Sequence, residues 1–234
     1  MSLDNSHVTT VYRHEIKYFM NNLEAQQMRN LMKLIMNKDV YAQKQDYYIR
    51  SLYFDTLNNK AFVEKILGIN ERKKIRLRIY SKDAKEVKLE IKNKYGNYSV
   101  KESALLSKQD AQQLISGKTD ILLSSENLVC NKVYAEMKRD MYIPQIMIDY
   151  EREAYILPFD QIRITFDKNL RCSADHLRQL EADRVFYPVL DRKYMILEVK
   201  YNHFLPDFIK RILGTVPGEC LSVSKYCLSR QLLV

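Results

Sequence analysis

The prediction of the fold starts from the segment "RKKIRLRIY" at residues 72–80. Three apolar residues alternate there with two arginines and a tyrosine: Ile75, Leu77 and Ile79 with Arg76, Arg78 and Tyr80. Alternate side chains of a strand point to opposite faces, so the segment predicts a strand with one apolar face and one cationic face. For this strand alone, a cationic face in water is the simpler interpretation.

The same alternation recurs along the chain and indicates a shared interior. The other alternating segments are 12–20, 48–56, 86–94, 98–106, 145–156, 161–167 and 194–202. Their polar positions hold mostly Arg, Lys and Glu in short E-x-K and R-x-R units, whereas a solvent-facing sheet would carry more Ser, Thr and Gln. Segments 22–38, 107–117 and 205–214 have helical patterns, and the stripe of Met28, Met32 and Met36 predicts core packing. The sequence therefore predicts an α+β fold: an antiparallel β-barrel that forms a tunnel of about eight strands with a few flanking helices.

Length and composition predict one folded unit. The chain has 234 residues, 46% of them hydrophobic, with only five Gly and five Pro and no linker-like tract. We expect an N-terminal tail at 1–10 and a single domain at 11–234. No segment approaches the roughly 20 apolar residues of a membrane span, and no secretory signal is evident, so we expect a cytoplasmic protein. The four scattered cysteines predict neither a zinc site nor a disulfide framework.

A charged lumen requires compensation. Like charges at positions i and i+2 would lie roughly 7 Å apart, with more on neighbouring strands. Burying so many unpaired cations is costly, so carboxylates, water and a polyanion must balance them. Phosphate chains suit this role, because guanidinium groups bind phosphate oxygens bidentately. The net charge of +9 agrees with an anionic partner, and the glutamates could hold Mg²⁺ or Mn²⁺.

The order of the strand motifs resembles a known family. The motifs are "EIKY" (15–18), "IRLRIY" (75–80), "LEIKNK" (89–94), "SVKES" (99–103), "YEREAY" (150–155), "IRITFD" (162–167), "LEVKY" (197–201) and "SVSKY" (222–226). Together they resemble the VTC-type polyphosphate polymerase domain, one of the triphosphate tunnel metalloenzymes related to the CYTH proteins. The resemblance covers roughly residues 11 to 230. It implies a tunnel that binds triphosphate and a metal-dependent transfer of the ATP γ-phosphoryl group to a growing polyphosphate chain.

The resemblance also implies roles for individual residues. The catalytic residues that bind the nucleotide phosphates are Arg76, Arg78, Lys92 and Arg152. The other substrate-binding residues are Lys17, Lys101, Tyr150, Arg163, Lys200, Ser224 and Lys225, with the acceptor phosphate arriving from the side of Lys101 and Lys225. The metal ligands for Mn²⁺ or Mg²⁺ are Glu198, Glu90 and Glu15.

Several assignments leave alternatives open. Arg50 could bind substrate in the lumen, or form a structural ion pair with Asp55 or another carboxylate. Glu90 and Glu198 could be only salt-bridge partners of neighbouring cations. Tyr150 and Arg152 share a face with Ile146 and Ile148, so a bulge is expected in that strand. Most of the 17 tyrosines are expected in the core and rim. Tyr53 and Tyr80 are candidates for contact with a base.

Two departures from the family pattern bear on function. Arg13 precedes Glu15 and Lys17 where the hydrolase branch has E-x-E-x-K, which favours a polymerase over a triphosphatase. Ser222 stands where polymerase tunnels often have a lysine. The predicted partners are ATP and inorganic polyphosphate or triphosphate, with nucleic acid disfavoured. A triphosphatase of the same fold and a non-enzymatic polyanion-binding module remain alternatives. A membrane-protein partner that receives the product and the oligomeric state also stay open.

Overall fold

The computed structural model describes residues 14–40, 46–96, 98–174, 180, 184–215 and 222–233, and the backbone of 7–9. Its strands are β1 (His7–Thr9), β2 (His14–Asn21), β3 (Asn37–Lys38), β4 (Tyr47–Thr56), β5 (Glu71–Ile79), β6 (Glu86–Tyr95), β7 (Tyr98–Ser107), β8 (Tyr142–Leu157), β9 (Ile162–Ser173), β10 (Tyr187–Pro188) and β11 (Tyr194–Tyr201). The eight longer strands correspond to the eight predicted segments. The short strand β1 falls within the predicted N-terminal tail, and the division into tail and domain stays a prediction.

All the strands belong to one antiparallel sheet that curls around a lumen. The order is β1, β7, β6, β5, β4, β8, β9, β11 and β2, with β10 beside β9 and β3 beside β8. Among the described residues, no hydrogen-bonded ladder joins β2 to the other end of the sheet. Side chains cross that gap instead, since Lys92 on β6 donates to Glu15 on β2 at 2.8 Å. The predicted α+β antiparallel tunnel is confirmed, without closure by backbone hydrogen bonds in this part of the chain.

Six α-helices flank the sheet in the described part of the chain: α1 (Asn22–Ile35), α2 (Lys60–Ile66), α3 (Lys108–Ile115), α4 (Leu128–Asp140), α5 (Asp207–Gly214) and α6 (Lys225–Leu233). Asn21 and Glu24 form a reciprocal capping box at the start of α1. Ser107 caps α3 by accepting from the amide of Asp110. The sequence patterns predicted α1, α3 and α5 and missed α2, α4 and α6. No helix in the described residues is long and apolar enough to cross a membrane.

Two apolar clusters pack outside the sheet. In the first, Ile75, Leu77 and Ile79 of β5 pack with residues of α3 and α4. In the second, α1 and α5 cover β2, β9 and β11, and the predicted core stripe of Met28, Met32 and Met36 lies there, fully or nearly buried. Because the apolar face of β5 is used outside, Arg76 and Arg78 must face the lumen.

A third apolar cluster lies inside the sheet and fills one end of its interior. We call it the plug; its buried members are Ile49, Tyr53, Ala61, Ile146, Ile148, Tyr150, Leu170, Cys172, Ile196, Tyr226 and Cys227. It includes residues of α2 and α6 that enter from that end.

The plug explains why Ile146 and Arg152 share one face of β8. The pairing of β8 with β4 is regular from Ile146 to Arg152. A register shift occurs opposite Tyr150, but it lies in β9, where Asn169 has φ 53°. Between Ile148 and Arg152, where the bulge was expected, the irregularity therefore lies on β9, while β8 has a register shift of its own at Gln145, before Ile146. The inward face of β8 simply changes from apolar in the plug to polar beyond it.

Candidate functional site

The inward faces of the sheet enclose a cavity of about 1240 Å³, which we call the lumen. Three of its described lining residues are acidic: Glu15, Asp39 and Glu198. Fourteen are basic: Lys17, Lys65, Arg72, Lys74, Arg76, Arg78, Lys88, Lys92, Lys94, Lys101, Arg152, Arg163, Lys200 and Lys225. Such an excess of cations in one enclosed space creates a strongly positive potential. The geometry fits an anionic ligand with several charges.

The structure brings most of the predicted site residues to this lumen. Thirteen line it: Glu15, Lys17, Arg76, Arg78, Lys92, Lys101, Tyr150, Arg152, Arg163, Glu198, Lys200, Ser224 and Lys225. Arg50 does not, because it occupies the outward parity of β4. Its guanidinium donates twice to Asp149 at 2.8 Å and is only 2% exposed. The alternative of a structural ion pair is correct for Arg50, with Asp149 as the partner.

Glu90 lies beneath the lumen surface and is a salt-bridge partner. Its carboxylate is 1% exposed and accepts from Arg76 at 2.6 Å and from Lys101 at 3.1 Å through different oxygens. Burial alone would raise the pKa of Glu90, but the adjacent cations hold it well below its usual range. Its two oxygens fix two cations and, unlike Glu15 and Glu198, Glu90 is not part of the lumen lining, so the structure places it as a salt-bridge partner rather than beside a lumen-bound metal.

Arg76 and Arg78 are held in place by neutral hydroxyls as well as by Glu90. Arg76 donates to the Tyr53 hydroxyl at 2.8 Å, and Arg78 donates to Ser51 at 3.0 Å and to Tyr150 at 3.2 Å. These contacts fix the rotamers of both guanidinium groups before any ligand arrives. Such preorganisation lowers the entropic cost of gripping a phosphate.

Arg152 of β8 belongs to a buried charge network that joins β8, β9, β11 and α6. It donates to both oxygens of Asp167, at 2.5 and 2.7 Å, and to Glu198 at 3.3 Å. Lys225, the first residue of α6, pairs with the same Asp167 at 2.5 Å. Burial would raise the pKa of Asp167, yet Arg152 and Lys225 hold it well below its usual range. Asp167 was not predicted as a site residue, although it shares the inward parity of Arg163.

Like charges face each other across β5 and β6 at one end of the lumen, which we call the lysine end. Arg72 is opposite Lys94, and Lys74 is opposite Lys92. The lysine end is completed by Lys65 of α2, which contacts Ser222 at 2.7 Å. Cross-strand like charges destabilise a sheet unless an anion balances them. Among the described residues, Lys65, Arg72, Lys74 and Lys94 form no ion pair with a carboxylate.

The predicted site omitted Lys65, Arg72, Lys74, Lys88 and Lys94. Four of them continue the inward parities of β5 and β6, so the signal was present in the alternation itself. Lys65 had no such signal, because the helix α2 was not predicted. It brings a cation to Ser222, the position where the family pattern often has lysine.

Three described lumen residues, Lys74, Tyr53 and Lys200, have a pKa lowered to about 8; burial and then the charges of Arg152 and Lys92 lower that of Lys200. Burial lowers the pKa of Lys74 to about 8, with further lowering by nearby lysines. Burial would raise the pKa of Tyr53, but the adjacent cations, Arg76 first, lower it to about 8. Lys74 also donates to Ser224 at 2.8 Å, the hydroxyl that caps the start of α6 through the amide of Cys227. The charge of the lumen therefore changes between neutral and mildly alkaline pH.

The family comparison agrees with this geometry. The model of the VTC domain matches residues 12–234. The chain belongs to the VTC-domain family. No curated protein matches it.

Solved structures show that this VTC domain has the triphosphate tunnel fold. A Hippeastrum protein, described as an adenylyl cyclase candidate with a dominant triphosphatase activity, is 15% identical, with a TM-score of 0.56, over 94% of this chain and 95% of that one. A Pyrococcus horikoshii protein is 13% identical, with a TM-score of 0.50, over 94% and 99%. An adenylate cyclase candidate from Bacillus halodurans is 12% identical, with a TM-score of 0.50, over 91% and 95%. At these identities the likeness concerns the fold.

The fold of the VTC domain implies a divalent metal, and two carboxylates fit one. Glu15 and Glu198 are diagonal neighbours on the adjacent strands β2 and β11, and both line the lumen. Burial raises the pKa of both groups, and the charge of Glu15 also raises that of Glu198, but the neighbouring lysines outweigh these effects and keep both pKa values below the usual value, so both are anionic. The buried hydroxyl of Thr165, the cross-strand neighbour of Glu198, has no described partner. No group of three or more His, Cys, Asp or Glu residues in the described part of the chain could hold a metal alone. Phosphate and water would have to complete the shell, as Mg²⁺ prefers.

Proposed function

We propose that this VTC domain is a metal-dependent polyphosphate polymerase that transfers the γ-phosphoryl group of ATP to a growing polyphosphate chain in the lumen. The observation that carries the proposal is the lumen itself, with fourteen basic and three acidic described residues at its surface. It follows β5 from Arg72 to Tyr80, about 26 Å of extended strand. A cation-lined cavity of this length suits a chain of phosphates better than a single small anion.

Each group of lumen residues has a proposed task. Arg76 and Arg78, held by Glu90, Tyr53 and Ser51, bind the transferred phosphate oxygens as preorganised donors. Arg152 of β8, fixed by Asp167, supports the same group from the other side of β4. Phosphoryl transfer depends mainly on positioning and on neutralising charge at the oxygens, which such a set provides.

The lumen favours phosphate over water as the nucleophile. A hydrolase must activate water, commonly with a general base. The described lining contains no histidine, and Glu15 and Glu198 are weak bases because their pKa values are lowered. A terminal phosphate is already ionised and needs no base. The acceptor end of the chain would reach the γ-phosphoryl group from the side of Lys101 and Lys225.

Glu15 and Glu198 would hold Mg²⁺ or Mn²⁺ together with substrate oxygens. The metal would neutralise charge on the phosphates when bound. Lys17 contacts Glu15 at 2.6 Å and Lys200 contacts Glu198 at 3.0 Å. These lysines balance the two carboxylates and can move to phosphate oxygens when a metal takes their place.

Product analysis tests the proposal. The purified protein is incubated with ATP and either Mn²⁺ or Mg²⁺, and the products are separated by gel electrophoresis and ³¹P NMR. We expect chains of polyphosphate and ADP, with loss of turnover in Glu198→Gln. Glu86→Gln is the matched control, since Glu86 is exposed at the start of β6, away from the lumen lining.

Two results would contradict the proposal. Orthophosphate from ATP or tripolyphosphate, without chain growth, would identify a triphosphatase of the same fold. Tight, salt-sensitive polyphosphate binding with no turnover in either metal would identify a binding module. In that second case Glu198→Gln should leave binding nearly unchanged.

A further inference from the structure

Two tyrosine rings lie where the cationic lining of β5 ends. Tyr80 directly follows β5, lines the lumen and is 45% exposed. The ring of Tyr47, at the start of β4, lies 6.3 Å from it at an angle of 53°. Tyr47 also lines the lumen, and its hydroxyl accepts from Arg163 at 2.7 Å. We call this pair the tyrosine rim.

The other tyrosines of the lumen have no exposed ring. Tyr53 stacks on Tyr226 at 5.3 Å, and both are within the plug. Tyr150 is 3% exposed. Tyr95 and Tyr98 are as exposed as Tyr80, at 50% and 46%, but neither lines the lumen. Among the described residues, the tyrosine rim alone combines an accessible aromatic face with a place in the lumen.

The order of side chains along β5 gives the lumen a direction. Arg72 and Lys74 lie at the lysine end, Arg76 and Arg78 follow, and Tyr80 is the next inward position, about 7 Å beyond Arg78. The guanidinium carbon of Arg78 is 5.9 Å from the centre of the Tyr80 ring. A ligand that matches this order has several phosphates followed by a flat ring. A nucleoside triphosphate has that order, whereas inorganic triphosphate lacks the ring.

We propose that the tyrosine rim is the nucleobase site of this VTC domain, so that ATP lies with its base on Tyr80 and its phosphates toward Arg78 and the lysine end. The inference rests on the proposed function and adds the specificity-determining residues for the nucleotide. Stacking uses the π face that every base presents, so it selects nucleotides over inorganic phosphates without reading the base edge. We therefore expect purine nucleotides to bind similarly and pyrimidine nucleotides more weakly.

Binding measurements without turnover test the inference. Dissociation constants are measured by calorimetry in EDTA for tripolyphosphate, ATP, GTP and CTP. We expect the wild type to bind ATP and GTP within about threefold of each other, and both more tightly than CTP. Tyr80→Leu should weaken ATP about tenfold and leave tripolyphosphate within about twofold. Tyr80→Phe, which keeps the ring, should retain ATP affinity.

Tyr95→Leu is the control, because it removes an equally exposed tyrosine outside the lumen. The tyrosine rim is not the nucleobase site if Tyr80→Leu weakens the binding of ATP and tripolyphosphate equally. The same conclusion follows if the wild-type protein binds ATP no more tightly than CTP. The wild-type nucleotide series gives this answer even if the variant does not fold. Failure of the proposed function would look different, since the wild type would then bind ATP as described and yet produce no polyphosphate.

Discussion

The plug and the lumen are built from the same faces of the same strands and are stabilised in different ways. On β8 the inward residues run from Ile146 and Ile148 in the plug to Arg152 in the lumen. On β11 they run from Ile196 to Glu198 and Lys200. The plug is a cluster of buried apolar and aromatic side chains, whereas the lumen holds charges in ion pairs and an open volume of about 1240 Å³.

The plug contributes mainly to the free energy of folding, whereas the lumen contributes mainly to the free energy of ligand binding. Burial of apolar area stabilises the plug whether or not a ligand is present. Facing cations at the lysine end oppose folding slightly until an anion enters. The plug should therefore respond to mutation in stability, and the lumen in affinity. Mutations in the two regions test this division.

The largest effect is expected in the plug. Ile148 is fully buried on β8, so Ile148→Ala should lower the free energy of unfolding by about 2–5 kcal/mol. Urea denaturation followed by circular dichroism measures this. Ile143→Ala is the matched control on the same strand, because Ile143 is 38% exposed and should cost less than about 1 kcal/mol. Folded Ile148→Ala should bind tripolyphosphate within about threefold of the wild type; a hundredfold loss would show that the plug shapes the lumen directly.

The next effect is expected at the two arginines that we propose bind phosphate. Arg78 contacts the hydroxyls of Ser51 and Tyr150, and its nearest carboxylate oxygen, on Glu90, is 3.7 Å away. Arg78→Met should therefore weaken tripolyphosphate about a hundredfold, the effect of one or two charge-assisted hydrogen bonds, while stability changes by less than about 1 kcal/mol. Calorimetry measures both quantities. Arg139→Met, at an exposed arginine of α4, should leave both unchanged; an equal loss there would mean that net charge alone binds the ligand.

The alternation of charged and apolar residues was enough to predict the strands and most of the lumen lining. It succeeded at Arg76 and Arg78 because the parity of one strand fixes the side of every second residue. It failed at Arg50, where the outward parity of β4 also carries a cation, neutralised by Asp149. Sequence parity cannot tell a paired arginine outside the barrel from an arginine inside it, because the partner lies 99 residues away.

Other features depend on tertiary contacts that the sequence pattern does not show. The sequence predicts a bulge in β8 where the structure has the plug, because an inward isoleucine conflicts with a charged interior. Glu90, for which a metal ligand and a salt-bridge partner were both open, lies outside the lumen lining with its oxygens on Arg76 and Lys101. Lys65 reaches the lumen from α2, whose seven residues are too few to give a clear helical pattern. All three cases depend on contacts between elements that are distant in sequence.

A smaller effect is expected in the pH dependence of binding. Lys74 and Lys200, each with a pKa of about 8, are cations below that pH and neutral above it, and Tyr53 becomes anionic over the same range. Both changes disfavour a polyanion, so affinity for tripolyphosphate should fall as pH rises from 7 to 9.5. One group lowers affinity by at most about tenfold per pH unit.

Comparing variants with the wild type separates the contributions of Lys74 and Tyr53. It also removes the titration of tripolyphosphate itself, which is the same for every variant. The advantage of the wild type over Lys74→Met should be largest at pH 7 and should vanish by about pH 9.5. Tyr53→Phe should bind better than the wild type only at the alkaline end. A wild-type advantage over Lys74→Met that stays constant with pH would show that Lys74 acts through packing against Ser224 and not through its charge.

The smallest effect should have the opposite sign and lies at the lysine end. Lys94 faces Arg72 across the sheet, and among the described residues it forms no ion pair with a carboxylate. Burial and then Arg72 lower the pKa of Lys94, which indicates that its charge is unfavourable in the free protein. Lys94→Gln should raise the free energy of unfolding by about 0.2–1 kcal/mol at low salt. The gain should shrink at high salt, where the repulsion is screened.

Saturating polyphosphate should reverse the gain in stability of Lys94→Gln, because the ligand stabilises the wild type more. Lys85→Gln, at an exposed lysine between β5 and β6, should show neither the gain nor the reversal. Destabilisation by Lys94→Gln at low salt without ligand would mean that the lysine end is already balanced, and the division between plug and lumen would not hold there.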